Sequence, residues 1–214
     1  MVGSTLTRFK QTQRFLLFDF EAESLNLFAS RPWEVAYALC TQKQIISIKA
    51  DYIWWPDLRV SRGAAAKTRF NEMEYKAKAR PAREVLDEFE KHLLDPTIIP
   101  VGHSILGYDA YMHRNWRREV GLPCDWSWLM RLMDTNCLVK GILKGWTPDI
   151  SSPMAYSAWQ YRAANHIEKG LKSNLGDTGR AWKIEHDYTT LHRAESDITL
   201  NHKVLAEALF KIEV

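Results

Sequence analysis

The 214-residue sequence has few of the features that mark small secreted, zinc-binding or membrane proteins. Its three cysteines, Cys40, Cys124 and Cys137, are an odd number without CxxC spacing, which argues against a disulfide framework and a zinc site. No apolar run approaches the roughly 20 residues of a membrane span. The first 14 residues lack the apolar core of a signal peptide. We therefore predict a cytoplasmic protein without a membrane partner.

A strong overall charge is also absent, because the formal net charge is only +3. The charge is unevenly distributed: residues 59–83 contain eight basic and two acidic residues, so this stretch carries +6 and the remainder −3. A basic segment of this kind suits a phosphate backbone that must approach an acidic site. A solvated loop whose charge has no binding role is an equally good interpretation of residues 59–83.

Ordinary globular composition, 46% hydrophobic and 26% charged, predicts one domain with a sizeable core. We expect residues 1–14 to be a flexible lead-in and residues 15–214 to be the domain. Strand-like runs alternate with helical patterns, which is typical of a layered α/β fold. The sequence predicts irregular segments at 56–80 and 146–190. Strands are predicted at 15–21, 33–39, 44–54, 97–101 and 129–133, and helices at 81–95, 108–120, 134–145 and from 192 onwards.

The central stretch is Phe15–Glu21, in which five of seven residues are large and apolar, as in a strand buried on both faces. Asp19 and Glu21 lie two residues apart and therefore leave the same face of the strand. Two like charges so placed raise each other's pKa, and a divalent cation would relieve the conflict. The alternative is that Glu21 simply begins a solvated loop.

Further acidic residues follow at places where an α/β sheet collects ligands. Asp109 lies in the first turn of the helix after the fourth predicted strand, and there it could lean toward the central strand or only interact with the helix dipole. Asp197 lies beside the apolar residues Ile198 and Leu200, so its carboxylate needs a partner. His192 precedes Asp197 by five residues and cannot share its helical face. A structural role for His192 is the alternative to a catalytic one.

Taken in order, Asp19-x-Glu21, Asp109, and His192 with Asp197 resemble the motifs of the DEDDh (DnaQ-like) branch of the 3′–5′ exonucleases. This family includes the proofreading subunit of bacterial replicative polymerases, RNase T and oligoribonuclease. The resemblance spans about residues 15–210. It implies a ribonuclease H-like three-layer α/β/α fold with a mixed five-stranded sheet.

The resemblance also implies a chemistry. The four acids would bind two Mg²⁺ or Mn²⁺ ions, and His192 would be the general base for release of nucleoside monophosphates from single-stranded 3′ ends, with DNA favoured. Leu25 would be an apolar wedge against the last base. Other substrate-binding candidates are Glu23, Ser24, His103, Ser104 and Tyr108. Glu23-Ser24 and His103-Ser104 stand where many members have Thr-Gly and His-Asn, so substrate preference is expected to differ.

Three other interpretations stay open from the sequence. The protein could be an RNA-directed exonuclease or oligoribonuclease, because the contacts that read the 2′-hydroxyl cannot be placed. It could be a catalytically silent nucleic-acid binding module, although the four acids and the histidine of the motifs are all present. It could serve a polymerase or another replication or repair partner; the oligomeric state is not determined. Aromatic residues of 146–190 could stack bases or belong to the core: Trp146, Tyr156, Trp159 and Tyr161.

Overall fold

The computed structural model describes Thr7, residues 10–191 and residues 193–214. Within them lies a six-stranded sheet in the order β4-β3-β2-β1-β5-β6. Its strands are β1 Arg14–Ala22, β2 Pro32–Cys40, β3 Ile45–Trp54, β4 Arg80–Pro81, β5 Ile98–Gly102 and β6 Met133–Asp134. β1 pairs antiparallel with β2 and parallel with β5, so the sheet is mixed. The predicted fold class is confirmed, and the strand beyond the predicted five is the two-residue β4.

Helices cover both faces of this sheet. They are α1 Arg62–Thr68, α2 Glu72–Lys78, α3 Ala82–Leu93, α4 Asp109–Glu119, α5 Thr135–Lys144, α6 Pro153–Asn165, α7 Leu175–Ala181 and α8 Ala194–Lys211. Among the described residues, no helix is long and apolar enough to cross a bilayer. The main helices and strands were predicted within a few residues of these bounds.

Three secondary-structure predictions were wrong. Residues 56–80 contain α1 and α2, whose first turns are capped by the side chains of Ser61 and Asn71. Residues 146–190 contain α6 and α7, capped by Ser152 and Asn174. Residues 127–131 form a 3-10 helix, and only Met133–Asp134 pairs as a strand. Short capped helices escape a search for apolar periodicity, because their first-turn bonds come from polar side chains.

The strand β1 divides the core in two. Leu16, Phe18 and Phe20 face a cluster with Phe89 of α3 and Trp116 of α4. On the opposite face, Phe15 and Leu17 belong to a second cluster with residues of α5, α6 and α8. Side chains alternate along a strand, so Asp19 and Glu21 continue the row of Phe15 and Leu17 toward the α8 side. This alternation directs both carboxylates to one face, as predicted.

The chain turns sharply after β5 to begin α4. A Cβ on Gly102 would lie 2.2 Å from Ile105 Cδ1 and 3.0 Å from the Phe18 carbonyl oxygen, so the close approach there requires glycine. β5 pairs with β1 only as far as Leu17, which pairs with Val101. The end of β1 therefore has a free edge, and α4 begins beside it.

Candidate active site

Four carboxylates from three elements converge at the end of β1. Asp19 and Glu21 come from β1, Asp109 is the first residue of α4, and Asp197 lies in the first turn of α8. Asp109 is buried, and its Oδ1 accepts a hydrogen bond from the Phe20 backbone N–H at 3.0 Å. This bond fixes the beginning of α4 against the free edge of β1. The acids predicted from separate motifs are thus brought together.

The carboxylates repel one another. The pKa of Asp19 is raised well above its ordinary value by burial and then by the negative charges of Asp109, Glu21 and Asp197. Burial, followed by the charges of Glu34, Asp197 and Asp109, raises the pKa of Glu21 to about 8. Burial also raises the pKa of Asp109 to about 8, although its bond from Phe20 acts in the opposite direction. Negative charge therefore dominates the electrostatics of this cluster.

A fifth carboxylate, Glu34, was not assigned to the site from the sequence. It lies on β2 directly opposite Glu21 in the antiparallel pairing. Burial and then the charge of Glu74 raise its pKa to about 7. The available signal was an acid inside the apolar run of residues 33–39, the same signal that marked Asp19. The pairing register that sets Glu34 beside Glu21 was not predictable from sequence.

Oxygen ligands alone, concentrated in one place, fit hard divalent cations such as Mg²⁺ or Mn²⁺. Within the described residues, no three Asp, Glu, His or Cys side chains are already arranged as ligands around one point.

Lys67 is a cation that acts on this cluster, since its charge lowers the pKa of Glu21. It belongs to α1, so the basic stretch 59–83 reaches the acids. A cavity of about 560 Å³ is lined by Lys67, Arg69 and Arg180 together with Asp197. An Arg69 guanidinium N–H also donates to the Thr189 carbonyl at 2.9 Å, which joins the basic stretch to the segment before α8.

The loop between β1 and β2 contains Ser24 and Leu25, two of the predicted substrate-binding residues. Leu25 is 85% exposed, as a wedge against a base requires. Tyr108, another candidate, donates its hydroxyl hydrogen to the Ser24 carbonyl at 2.8 Å. Because Asp109 follows Tyr108, this bond ties the loop to the residue that begins α4.

Glu23 has its carboxylate engaged within the protein. Arg31 donates to it through its backbone N–H, Nε and Nη2, and the Arg59 backbone N–H donates at 3.0 Å. Burial raises the pKa of Glu23, but these hydrogen bonds outweigh burial and the pKa lies below its ordinary value. Arg31 also pairs with Asp57 at 2.7 Å. Glu23 therefore connects the β1–β2 loop to the start of the basic stretch.

Replacing Glu23 by alanine is expected to lower the free energy of unfolding by about 2–3 kcal/mol, since Arg31 loses its buried partner. The folded-state pKa is depressed, so this contribution is present above the ordinary value of 4.5 and is lost as the pH falls below it. Urea unfolding at pH 7 and pH 3 measures both effects. Glu72→Ala, which removes an exposed pair with Lys76, is the control and should change little. Equal stability of Glu23→Ala and wild type at pH 7 would contradict the expectation.

His103 connects two parts of the chain. Its Nε2 donates to the Ser173 carbonyl at 2.9 Å, which leaves Nδ1 as an acceptor 2.9 Å from the Thr135 hydroxyl. Burial lowers the pKa of His103 to about 4, so the imidazole is neutral. Ser104 is exposed with a positive φ of 70°, and its N–H donates to Asp134 Oδ1. His103 stabilises the loop before α7, and Ser104 is the more accessible of the two candidates.

His192 lies outside the described residues, and its predicted role stays a prediction. A different histidine, His186, lies near the acidic turn of α8 and hydrogen-bonds the Ser196 hydroxyl at 3.1 Å. Sequence reasoning did not single it out, because it precedes the motif by six residues. Of the aromatic residues in 146–190, Trp159 is buried, Trp146 and Tyr156 pack against the core, and Tyr161 is 64% exposed.

Comparison with known proteins identifies the fold through structure and not through sequence. No family model matches the chain, and no curated protein matches it. Escherichia coli exonuclease I in complex with a dA16 oligonucleotide superimposes with a TM-score of 0.72 and 16% identity, over 93% of this chain and 41% of that chain. The chain shares the fold of one part of exonuclease I.

Two other structures of exonuclease I agree. Its zinc-bound complex with single-stranded DNA gives a TM-score of 0.70 at 16% identity, over 91% of this chain and 40% of that chain. Its complex with SSB-Ct gives a TM-score of 0.67 at 15% identity, over 93% of this chain and 41% of that chain. The chain thus spans about two fifths of the length of exonuclease I, and the shared part is the ribonuclease H-like fold.

Proposed function

We propose that the protein is a metal-dependent 3′–5′ exonuclease that releases nucleoside monophosphates from single-stranded ends, with DNA favoured. The observation that carries the proposal is the convergence of Asp19, Glu21, Asp109 and Asp197 from β1, α4 and α8, with the pKa values of the first three raised. The exonuclease I fold supports it, because exonuclease I is a DEDDh 3′–5′ exonuclease whose structures include complexes with single-stranded DNA.

The four acids would bind two Mg²⁺ or Mn²⁺ ions. Such ions, when bound, lower the pKa of water and stabilise the negative charge that develops on phosphate oxygens. The carboxylates supply the charge that retains them in the site. Asp109, fixed by the Phe20 N–H, sets the position of α4 relative to β1. Glu34 adds a further negative charge beside Glu21 and favours cation binding.

The remaining residues orient the strand and move the proton. His192 would accept a proton from the attacking water, since the ordinary pKa of imidazole lies near neutrality. Leu25 would contact the terminal base, and Tyr108 holds the loop that carries it. Ser104, exposed at the start of the turn before α4, and Ser24 are candidates for contacts with the terminal nucleotide. Glu23 positions this loop through Arg31.

The basic stretch supplies the attraction for phosphates. Lys67 and Arg69 line the same cavity as Asp197, and so does Arg180 of α7. A nucleic-acid backbone passing between them would bring its phosphates beside the acids without facing an all-negative surface. A polymerase or another replication or repair partner would deliver such a strand.

Reversal of Arg62, Lys67 and Arg69 to glutamate is expected to weaken single-strand binding and to flatten its dependence on salt. Each phosphate that the protein no longer neutralises removes about 0.7 from the slope of log K against log salt. Fluorescence anisotropy of a labelled oligonucleotide at several salt concentrations measures the slope. The matched control reverses three exposed lysines outside this stretch, Lys43, Lys91 and Lys169, and preserves the total charge change. The same slope in wild type and the first variant would show that residues 59–83 are a solvated segment that does not bind phosphates.

The decisive experiment is digestion of end-labelled single-stranded DNA, single-stranded RNA and duplexes, with and without Mg²⁺. We expect stepwise shortening from the 3′ end of single-stranded DNA only when Mg²⁺ is present. Faster digestion of RNA would favour an exoribonuclease. Binding of the oligonucleotides without cleavage in Mg²⁺ or Mn²⁺ would favour a silent binding module and contradict the proposal.

A further inference from the structure

The β1–β2 loop exposes a second large apolar residue beyond Leu25. Phe28 is 76% exposed and lies three residues further along the same loop. Single exposed apolar residues are common on protein surfaces and need no explanation by themselves. The surroundings of Phe28 are different, because several cationic and polar side chains of α4 hold the loop that presents it.

Side chains of helix α4 donate hydrogen bonds to the backbone carbonyl oxygens of this loop. The Leu27 carbonyl accepts from Arg114 Nη2 at 2.8 Å and from Asn115 Nδ2 at 3.0 Å. Arg118 Nη1 donates to the Phe28 carbonyl at 2.9 Å, and Asn115 Nδ2 also donates to the Ser30 carbonyl at 2.8 Å. Polar side chains from one stretch of α4 therefore fix the backbone on both sides of Phe28 while its ring stays in solvent.

A guanidinium stacks on this ring. Arg114 lies 5.8 Å from the centre of the Phe28 ring and 5.2 Å from that of Tyr111, so the cation stands between two aromatic rings. Its hydrogen bonds go to neutral acceptors, the Leu27 carbonyl and Asn115 Oδ1. The positive charge is thus retained at the surface beside the exposed ring. An exposed aromatic face with an adjacent cation matches a base and its phosphate.

A cavity of about 480 Å³ adjoins Phe28 and is lined also by Arg114, Arg118, Leu122 and Cys124. Its position relative to the acids follows from the helix. Arg114 is five residues after Asp109, which corresponds to a rise of about 8 Å along α4. The cavity therefore lies about one and a half turns of α4 beyond Asp109, beside the part of the helix that holds residues 27–30.

We infer that Phe28 and Arg114 form a stacking subsite for a nucleobase of the strand whose 3′ end lies in the acid cluster. The inference rests on the proposed function and assigns to the substrate an internal contact distinct from the terminal one at Leu25. Phe28 stacks on the base, and Arg114 faces the neighbouring phosphate, whereas the guanidinium of Arg118 is paired with Glu119. The subsite retains a strand between successive cleavage events.

The test uses the full chain in EDTA, so that no strand is cleaved, with oligonucleotides that carry 2-aminopurine at one of about six positions from the 3′ end. We expect wild type to change the fluorescence of the probe at the terminal position, where Leu25 contacts the base, and to quench it at one internal position, where Phe28 stacks on the base. Phe28→Ala should abolish only the internal quenching and weaken binding by about tenfold. Phe28→Trp should restore the internal quenching and the binding affinity. Ile167→Ala, at a 95% exposed site elsewhere, is the matched control and should behave as wild type.

Cys124 gives an independent measurement, because it is exposed and lines the cavity while Cys40 and Cys137 are buried. Bound oligonucleotide should slow alkylation of Cys124 in wild type and not in Phe28→Ala. Identical quenching and alkylation in wild type and Phe28→Ala would overturn the subsite and leave the exonuclease proposal standing. Failure of wild type to bind any of the oligonucleotides in EDTA would likewise overturn the subsite, and the digestion experiment with Mg²⁺ decides the exonuclease proposal independently. Thermal melts confirm that each variant is folded.

Discussion

Asp19→Asn is expected to abolish hydrolysis of a single-stranded 3′ end while making the metal-free protein more stable. The carboxylate is needed to retain a divalent cation, and losing several kcal/mol of transition-state stabilisation corresponds to a fall in kcat of about 10³-fold or more. The same carboxylate is repelled by its neighbours in the absence of a cation, which is why its pKa is raised. Removing the charge should stabilise the metal-free fold by about 1–2 kcal/mol.

The pH dependence of this stabilisation distinguishes relief of charge repulsion from a stabilising effect that does not depend on ionisation. A raised folded-state pKa means that ionisation destabilises the folded protein, so the advantage of Asp19→Asn should grow as the pH rises above about 4. Thermal melts in EDTA from pH 4 to pH 8 measure it. Mn²⁺ should raise the Tm of wild type, with binding heat in calorimetry, and leave the variant nearly unchanged. Asp87→Asn on the exposed side of α3 is the control; equal Mn²⁺ binding by wild type and Asp19→Asn would refute the metal site.

His192→Ala is expected to lower kcat by about 10²–10⁴-fold, with little change in oligonucleotide affinity or Tm. A general base is needed only when the proton moves, whereas the removal of a structural histidine would lower the Tm. The acidic limb of kcat against pH should also change in the variant at saturating Mg²⁺, because the imidazole titrates near neutrality.

His186→Ala is the matched control for this experiment. His186 lies close to the beginning of α8, hydrogen-bonded to Ser196, and burial lowers its pKa. Its replacement should leave the pH profile of kcat intact. A large loss of kcat in His186→Ala together with a normal His192→Ala would exchange their roles and contradict the motif-based assignment.

The acid cluster could be predicted because its signal is local. An Asp and a Glu two residues apart in a buried strand share a face whatever the rest of the fold, and Asp109 and Asp197 stand at helix starts. The position of Glu34 could not be predicted in this way. It depends on the register of β1 against β2, which is set by packing between segments separated in sequence.

Short helices and side-chain partners were harder to predict for a related reason. The caps at Ser61 and Asn71 are visible in the sequence, but α1 and α2 have seven residues each and only Tyr75 of them is buried, so no apolar periodicity marks them. Glu23 looked like a substrate contact because of its position after the first motif. Its partners, Arg31 and the Arg59 N–H, become apparent only when the loop closes on the basic stretch.

The anchoring of the β1–β2 loop by its main-chain oxygens determines how this scaffold can be altered. Side chains of α4 donate to the carbonyls of Leu27, Phe28 and Ser30, so these contacts do not depend on the side chains at positions 25 and 28. The side chains at positions 25 and 28 can therefore be replaced while the contacts between α4 and the loop backbone remain. A library randomised at these two codons should keep its folding yield while diverging in strand selectivity, whereas one randomised at Asn115 should lose soluble protein first.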